Sequence, residues 1–243
     1  MGTTHNYPFG TQKNHLLAAL PQSDLDRWQG RMEMVELSRG QTLVYFGRDP
    51  EYVYFPSTTI VSLINMTQDG ACAEVAVVGH DGVVGISTLL GADAAATQAV
   101  VQSAGRAYRL STRFVKSEIE TSNGVMKVVL RYAQTVLAQM AQTALCNRYH
   151  SIDQQFCRRL LLGLDRLPSD ELDMTHELAA NLLGVRREGI TMAAHKLQEE
   201  GLIRYRRGHI VVLDRERLEQ KTCDCYAVSK KEYRRLLPLA LVA

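Results

Sequence analysis

From about Met34 to Leu110, the hydrophobic positions fall into short apolar or alternating runs that are separated by turn signals. The runs read VEL, TLVYF, YVYFP, IVSLINM, AEVAVV, VVGIS, AVVQS and AYRL, and the breaks carry Arg-Gly, Asp-Pro and Asp-Gly pairs. Many short strands at this spacing are typical of an antiparallel barrel or roll. Ahead of them, closely spaced leucines between Leu16 and Leu25 indicate short helices that break at Pro21.

A single long helix is predicted next, from near Asn123 to about Tyr149, because no helix breaker interrupts the stretch. Its periodic positions step along by three or four residues and comprise Val125, Val129, Tyr132, Val136, Met140, Thr143 and Asn147. A stripe of this length is typical of a seam shared by two identical helices, so we predict a homodimer with these residues at its interface. A helix packed wholly on its own roll would carry the same stripe.

The C-terminal half predicts a different architecture. A second helix, roughly Ser151 to Arg166, leads into the stretch from Met174 to Leu213, which reads as helix, tight turn, helix and basic hairpin. Thr175 is placed to cap the first of these helices, and Gly184 lies where the short turn needs a residue without a Cβ. This order predicts a winged helix-turn-helix, which places one helix in the major groove of DNA.

The polar side of the second helix of this unit carries groups that can read base edges. An arginine can donate two hydrogen bonds to guanine, and a glutamate can accept one from cytosine N4. Arg187 and Glu188 offer this pair near the start of the helix, and the hairpin adds further arginines. The predicted DNA contacts are Thr175, His176, Arg186, Arg187, Glu188, Thr191, His195, Lys196, Arg206 and Arg207.

The distribution of charge agrees with a groove binder attached to a neutral regulatory half. The 243 residues carry a net charge of only +2, yet six Lys or Arg face three acidic residues between Arg186 and His209. The sequence shows neither an apolar run long enough for a membrane span nor the pattern of a signal peptide at its N-terminus. We therefore expect a cytoplasmic protein without a membrane partner.

Five dispersed cysteines, at positions 72, 146, 157, 223 and 225, argue against a disulfide framework. Cys223 and Cys225 are separated by one residue, which is not the spacing of a zinc knuckle, and no second pair lies nearby in the sequence. Reduced structural thiols are the expectation, with no metal and no cofactor. Catalytic motifs such as Gly-x-Ser-x-Gly, a phosphate-binding glycine loop or His-Glu-x-x-His are absent from the sequence, so we do not expect an enzyme.

A roll, a long helix and a winged helix-turn-helix in this order resemble the family of bacterial regulators named for the cyclic-AMP receptor protein and the fumarate-nitrate reductase regulator, Crp/Fnr. The most specific matches are MTHELAANLLGVRREGI, LIRYRRGHIVVL and, in the long helix, LAQMAQ. The resemblance implies a homodimer that binds a palindromic promoter site and regulates transcription, with RNA polymerase as a partner. Arg187 and Glu188 match the family's base-reading pair, whereas a further base-reading arginine of the family falls on Met192 here.

The sensor half departs from the family pattern for cyclic nucleotides. The glycine of that pattern matches Gly85, but Ile86 stands where the ribose-binding glutamate belongs. No arginine occurs between Gly85 and Arg106 to meet a cyclic phosphate, and the N-terminal cysteine cluster of the iron-sulfur members is absent from the sequence. The effector therefore stays unknown, with Gly85, Ile86 and Arg148 as candidate contacts, and constitutive DNA binding is an open alternative.

The predicted class is α+β, with an N-terminal antiparallel, jelly-roll-like β-roll. We predict a cyclic-nucleotide-binding-like roll over 12–120, a dimerisation helix over 121–150, a winged helix-turn-helix over 151–220 and a tail over 221–243, with a hinge near 148–151. A rival interpretation keeps the fold but makes the chain a sensor or scaffold module that acts by protein contact without specific DNA binding. The tail is expected to form a solvated amphipathic helix.

Overall fold

The computed structural model describes residues 14–167 and 169–237. The first residues of the predicted roll, 12–13, and the end of the predicted tail, 238–243, lie outside the described residues. The chain begins with two short helices, α1 (His15–Ala18) and α2 (Gln22–Gln29), as the leucine spacing predicts. The side chain of Asn14 caps α1 by accepting from the backbone N–H groups of Leu16 and Leu17.

Seven antiparallel strands form the roll. They are β1 (Glu33–Leu37), β2 (Thr42–Val44), β3 (Tyr52–Pro56), β4 (Ile60–Met66), β5 (Cys72–Val78), β6 (Gln98–Ser103) and β7 (Gly105–Ser111). They make a three-stranded sheet in the order β1-β7-β3 and a four-stranded sheet in the order β2-β6-β4-β5. Trp28 and Phe55 lie in the core between them, with ring centroids 6.0 Å apart. The predicted antiparallel roll is confirmed.

One of the apolar runs, VVGIS, does not form the strand that its composition predicts. Val84 makes only an isolated bridge to Tyr54, and a one-turn helix, α3 (Ile86–Leu89), follows at once. Gly85 between them has a φ of 100°, a left-handed conformation that ends extended structure and that β-branched residues avoid. The run turns because of this glycine, whatever the β propensity of its neighbours.

Two helices lead out of the roll, α4 (Thr112–Thr121) and the predicted long helix, α5 (Asn123–Tyr149). The predicted dimer seam on α5 is wrong in its first half. Val125, Val129, Tyr132 and Val136 are buried within the protomer and belong to the core of the roll. Met140 and Thr143 are half-buried on the same side, and only Asn147 is exposed. The stripe marks the face of α5 that covers its own roll.

The C-terminal domain starts at α6 (Ile152–Leu164), which a capping box of Ser151 and Gln154 begins. It continues through β8 (Glu171–Asp173), α7 (His176–Leu183), α8 (Arg187–Glu199), β9 (Ile203–Arg206) and β10 (His209–Val212). The three strands pair antiparallel in the order β8-β10-β9, so the hairpin has a third strand that the sequence pattern does not reveal. The core of this domain also takes in Ile60 and Val77 of the roll.

Helix α9 (Arg215–Lys221) ends the predicted winged helix-turn-helix domain, and the tail forms α10 (Asp224–Leu236). The prediction of a solvated tail is wrong for α10, because this helix packs along α5 and buries Cys225 and Tyr226. At its far end, Tyr233 donates a hydrogen bond to the backbone oxygen of Asp81 in the roll, 3.1 Å away. The chain therefore returns to the sensor half after the DNA-binding unit.

A buried ion pair joins the roll to the C-terminal domain. Arg159 on α6 approaches Glu74 on β5 with Nε 2.6 Å from Oε1, and its Nη2 donates to Oε2 at 3.1 Å. Both side chains are almost fully buried, with 3% and 7% exposure, and the hydroxyl of Ser62 also donates to the carboxylate. A second pair, Arg166 with Asp81 at 2.6 Å, lies nearby. These contacts fix how the two halves of the protomer meet.

We expect Arg159→Met to destabilise the protein by about 3–5 kcal/mol, since it leaves the Glu74 carboxylate buried without its cation. The double variant Glu74→Gln/Arg159→Met is expected to lose less than the sum of the two single losses, because the neutral amide needs no counterion. Urea denaturation of the four proteins measures this coupling. Losses that simply add would contradict the structural role of the pair.

A second prediction concerns the turn of the helix-turn-helix. Gly184 has a φ of 64°, and an added Cβ there meets only ordinary contacts, so its backbone conformation is the constraint. We expect Gly184→Ala to cost about 1–2 kcal/mol. Gly30→Ala is the matched control, because Gly30 has a φ of −69° and open space around it. Thermal unfolding of both variants measures the difference, and an equal effect of the two substitutions would contradict it.

Candidate nucleic-acid interface

The helix-turn-helix presents one face of α8 to solvent. Gly184 ends α7, and the N–H of Val185 returns to the backbone oxygen of Ala180 at 3.0 Å, so α8 starts after a very short turn. The apolar side of α8 is buried in the domain core, as predicted, through Ile190, Ala193, Ala194 and Leu197. The opposite side is left for contacts outside the protomer.

The first turn of α8 carries the exposed charges Arg186, Arg187 and Glu188. Among the residues that the structure describes, none of these three side chains forms an ion pair. Arg186 is the N-cap residue and makes no side-chain capping hydrogen bond, so the first backbone N–H groups of α8 stay open to an anion. The predicted base-reading residues therefore lie together on an open helix start.

His176 and Thr191 support α8 from within the domain. The ring of His176 stacks on Tyr205 with centroids 4.1 Å apart, and its Nδ1 lies 3.2 Å from the hydroxyl of Thr191. Burial, aided by the charge of Arg187, lowers the pKa of His176 below its usual value, so the ring is neutral at pH 7. These two predicted contact residues connect α7, α8 and the hairpin.

Three other predicted contacts are also engaged within the protomer. Thr175 accepts a hydrogen bond from the N–H of Leu178 at 3.1 Å and so caps α7, as expected. Lys196 pairs with Asp153 on α6 at 2.7 Å, and this hydrogen bond raises the pKa of the lysine. His195 lies 3.4 Å from Glu199, one turn along α8. Each of these three side chains already has a partner within the protomer, so a contact with DNA would compete with that partner.

The hairpin of β9 and β10 forms the predicted wing. Its two-residue turn consists of Arg207 and Gly208, whose φ angles of 49° and 87° suit a turn of type I′. Arg206 and Arg207 are exposed, as is Arg204, which we did not include among the predicted contacts. Arg204 alternates with the buried Ile203 along β9, so the period of two in the strand would have identified it.

Met192 is the departure from the family pattern on this face. Its side chain is 73% exposed. It lies one turn after Glu188 on α8. The structure thus places an apolar group where a base-reading arginine is found in the family that the sequence resembles.

A second feature is a cavity of about 440 Å³ between the roll and α5. Gly85 and Ile86, two of the three candidate effector contacts, line it, together with Asn147. No lysine, arginine or histidine is among its lining residues in the part of the chain that the structure describes. Arg148, the third candidate, lies elsewhere: it is exposed and its guanidinium sits 5.9 Å from the ring of Tyr149.

In the described part of the chain, no helix combines the length and apolar character needed to cross a bilayer.

The described residues thus combine an antiparallel β-roll, a long helix and a winged helix-turn-helix whose second helix has an open, cationic start. Residues 154–221 match the family model of the Crp-like helix-turn-helix domain. Among curated proteins, none matches the sequence.

Solved structures share the fold over most of the chain. A protein from Eubacterium rectale assigned to the Crp/Fnr family of transcriptional regulators is 19% identical, with a TM-score of 0.65, over 89% of this chain and 98% of the other. FixK2 from Bradyrhizobium japonicum is 17% identical, with a TM-score of 0.65, over 79% and 98% of the two chains. The c-di-GMP-responsive global regulator CLP from Xanthomonas campestris is 16% identical, with a TM-score of 0.62, over 80% and 100%.

The chain thus carries a Crp-like helix-turn-helix domain on the fold of the Crp/Fnr transcription regulators, which confirms the resemblance drawn from the sequence.

Proposed function

We propose that the chain is a homodimeric regulator that binds a palindromic promoter site through the start of α8. The observation that supports this most directly is the exposed set Arg186, Arg187 and Glu188 on a helix start without a side-chain cap. Charged side chains without an ion-pair partner among the described residues can bind base edges and phosphates from such a position. In this proposal, the wing arginines Arg204, Arg206 and Arg207 contact phosphates beside the groove.

Several side chains of α7 and α8 have proposed roles that follow from their chemistry. Arg187 donates to guanine O6 and N7, and Glu188 accepts from cytosine N4. Met192 makes apolar contact with a thymine methyl group, because its thioether cannot donate a hydrogen bond. His176 and Thr191 hold α8 in place, so their effect on DNA affinity is indirect.

Arg187→Ala is expected to cost about 1–3 kcal/mol at one base pair of each half-site and to relax the choice of base there. Arg113→Ala is the matched control, since Arg113 is an exposed arginine on α4, outside the C-terminal domain. Fluorescence anisotropy with operator duplexes substituted at each position measures both variants. A uniform loss on every sequence would instead assign Arg187 to a phosphate.

The homodimer of this proposal uses an α5 face different from the one that the sequence pattern indicates. Leu130 and Leu137 are 52% and 60% exposed, and Ala144 follows at the same spacing of seven. Gln134 and Ala141 fall between them and Arg148 follows, at intervals of three and four, which completes a heptad-like stripe on the exposed side. Two such helices bring the two copies of α8 to half-sites about 34 Å apart.

Leu137→Glu should therefore dissociate the dimer, because it places two carboxylates opposite each other in the seam. Met66→Glu is the control, since Met66 is equally exposed, at 59%, but lies on β4. Sedimentation velocity measures the dissociation constant, and operator binding should weaken together with it. A Leu137→Glu protein that stays dimeric at the wild-type concentration would reject this seam.

The cavity beside α5 is the proposed effector site. Its lining is mainly apolar, and its one charged group, Glu74, already pairs with Arg159. An anionic cyclic nucleotide would lack a cation there, so we propose an uncharged or weakly polar small molecule. Such a ligand acts only through a difference in its affinity for two arrangements of the dimer. Constitutive binding without an effector remains the alternative, and RNA polymerase stays a predicted partner.

Selection from a random duplex library with the purified full chain tests the proposal as a whole. The expected result is an enriched two-fold symmetric sequence whose binding weakens steeply as salt rises. A scaffold that acts by protein contact would enrich no sequence and would show little salt dependence, which would overturn the proposed function.

A further inference from the structure

Four metal-ligand side chains meet where α5 ends and α10 begins. Cys146 lies in the last turns of α5 and His150 follows this helix, while Cys223 and Cys225 flank the start of α10. Their ligand atoms, three Sγ and one imidazole nitrogen, all lie within 4.8 Å of one another. The Sγ atoms of Cys146 and Cys223 are 3.5 Å apart, and Cys225 Sγ is 3.5 Å from His150 Nδ1.

These separations suit a single tetrahedral ion. With Zn–S bonds of about 2.3 Å, the ligand atoms of a tetrahedral zinc site lie about 3.8 Å apart, close to the separations here. An iron-sulfur cluster spreads its ligands over two or more iron atoms, which requires larger separations. We propose that Cys146, His150, Cys223 and Cys225 bind one divalent ion of the zinc class.

The surroundings are those of a closed structural site. Cys146 and Cys225 are fully buried and Cys223 nearly so, which leaves no open position for a substrate. His150 Nδ1 faces the thiols, and its Nε2 lies 3.7 Å from the carboxylate of Asp224, a common outer partner of a metal-bound histidine. The backbone oxygen of His150 is also fixed, since it accepts from Gln155 Nε2 at 2.9 Å.

A buried arginine supplies the charge that such a site needs. Three thiolates, one neutral imidazole and a divalent ion leave one negative charge. Arg158 is 5% exposed, so burial lowers the pKa of its guanidinium, whereas negative charge on Cys146, Cys225 and Cys223 raises that pKa. Its Nη2 donates to Thr143 Oγ1 at 3.1 Å. Among the described residues no carboxylate forms an ion pair with Arg158, and its Nε has no hydrogen-bond partner. The metal site provides the missing counter-charge.

The bound ion would connect two segments that lie 77 residues apart in the sequence. Because α10 packs along α5 and reaches the roll at Tyr233, the ion secures the near end of α10 at the hinge before α6. The sequence led us to expect no metal, since Cys-x-Cys is not the spacing of a zinc knuckle and no second pair lies nearby in the sequence. Only the fold brings the two half-patterns together.

Cobalt substitution of the purified full chain tests the proposal. After removal of bound metal under reducing conditions, Co²⁺ should bind with one ion per chain and give the thiolate charge-transfer and d–d bands of a tetrahedral site. Cys225→Ser should weaken binding at least tenfold, whereas Cys157→Ser, a buried cysteine outside the group, should leave it unchanged. Far-UV circular dichroism shows whether each variant is folded, and Cys225→His, which keeps a ligand, should restore binding.

Three results would overturn the inference. One is a folded, reduced wild-type chain that takes up no Co²⁺ or Zn²⁺ at micromolar concentration. Another is iron with inorganic sulfide in the purified protein, which would identify a cluster instead of a single ion. The third is a disulfide between Cys146 and Cys223 in the protein as isolated, detected by mass spectrometry without reduction.

Discussion

The position of α8 depends on an ion pair between two opposite charges that are both buried. Arg159 reaches out of α6 to Glu74 on β5, and neither group can lose the other without a buried, unpaired charge. Because α8 packs on α6 within one core, this pair sets the placement of α8 relative to the roll. Any second arrangement of the two halves must supply new partners for both groups. A protomer built in this way favours a few discrete arrangements over continuous bending.

Glu74 also connects the roll's cavity to this pair. The same side chain lines the cavity of about 440 Å³ and accepts hydrogen bonds from Ser62 and Arg159. A molecule in the cavity therefore contacts the group that holds α6. The cavity also touches Leu137 and Ala144 on α5, which belong to the proposed seam. Occupation of one site can thus reach both the seam and the DNA-binding domain through direct contacts.

Local signals in the sequence predicted the helices and strands well. They predicted less well what each face of a helix packs against. Caps and breakers such as Ser122, Ser151 and Thr175 set the helix ends close to the predicted positions. The period of α5 correctly identified a buried stripe, but periodicity cannot tell whether a helix is buried by its own roll or by a second copy. Likewise, the sequence pattern indicated polar residues of α7 and α8 as DNA contacts, but it did not reveal that Lys196 also pairs with Asp153 or that His176 contacts Thr191. Contacts between side chains of different helices or strands depend on distances in the folded protein, and the spacing of residues along the sequence does not give those distances.

Helix α5 contacts the roll, the proposed seam and α10 at the same time, because it presents a different face to each of them. Tyr132 and Val136 cover the roll, Leu130 and Leu137 stay exposed, and α10 packs along the remaining surface. At its C-terminal end, Cys146 and His150 lie just before the start of α6. A rotation or bend of α5 would therefore change the seam, the cavity wall and the four-ligand group at once. Under the proposed function, that common dependence couples the seam, the cavity and the four-ligand group to the position of α8.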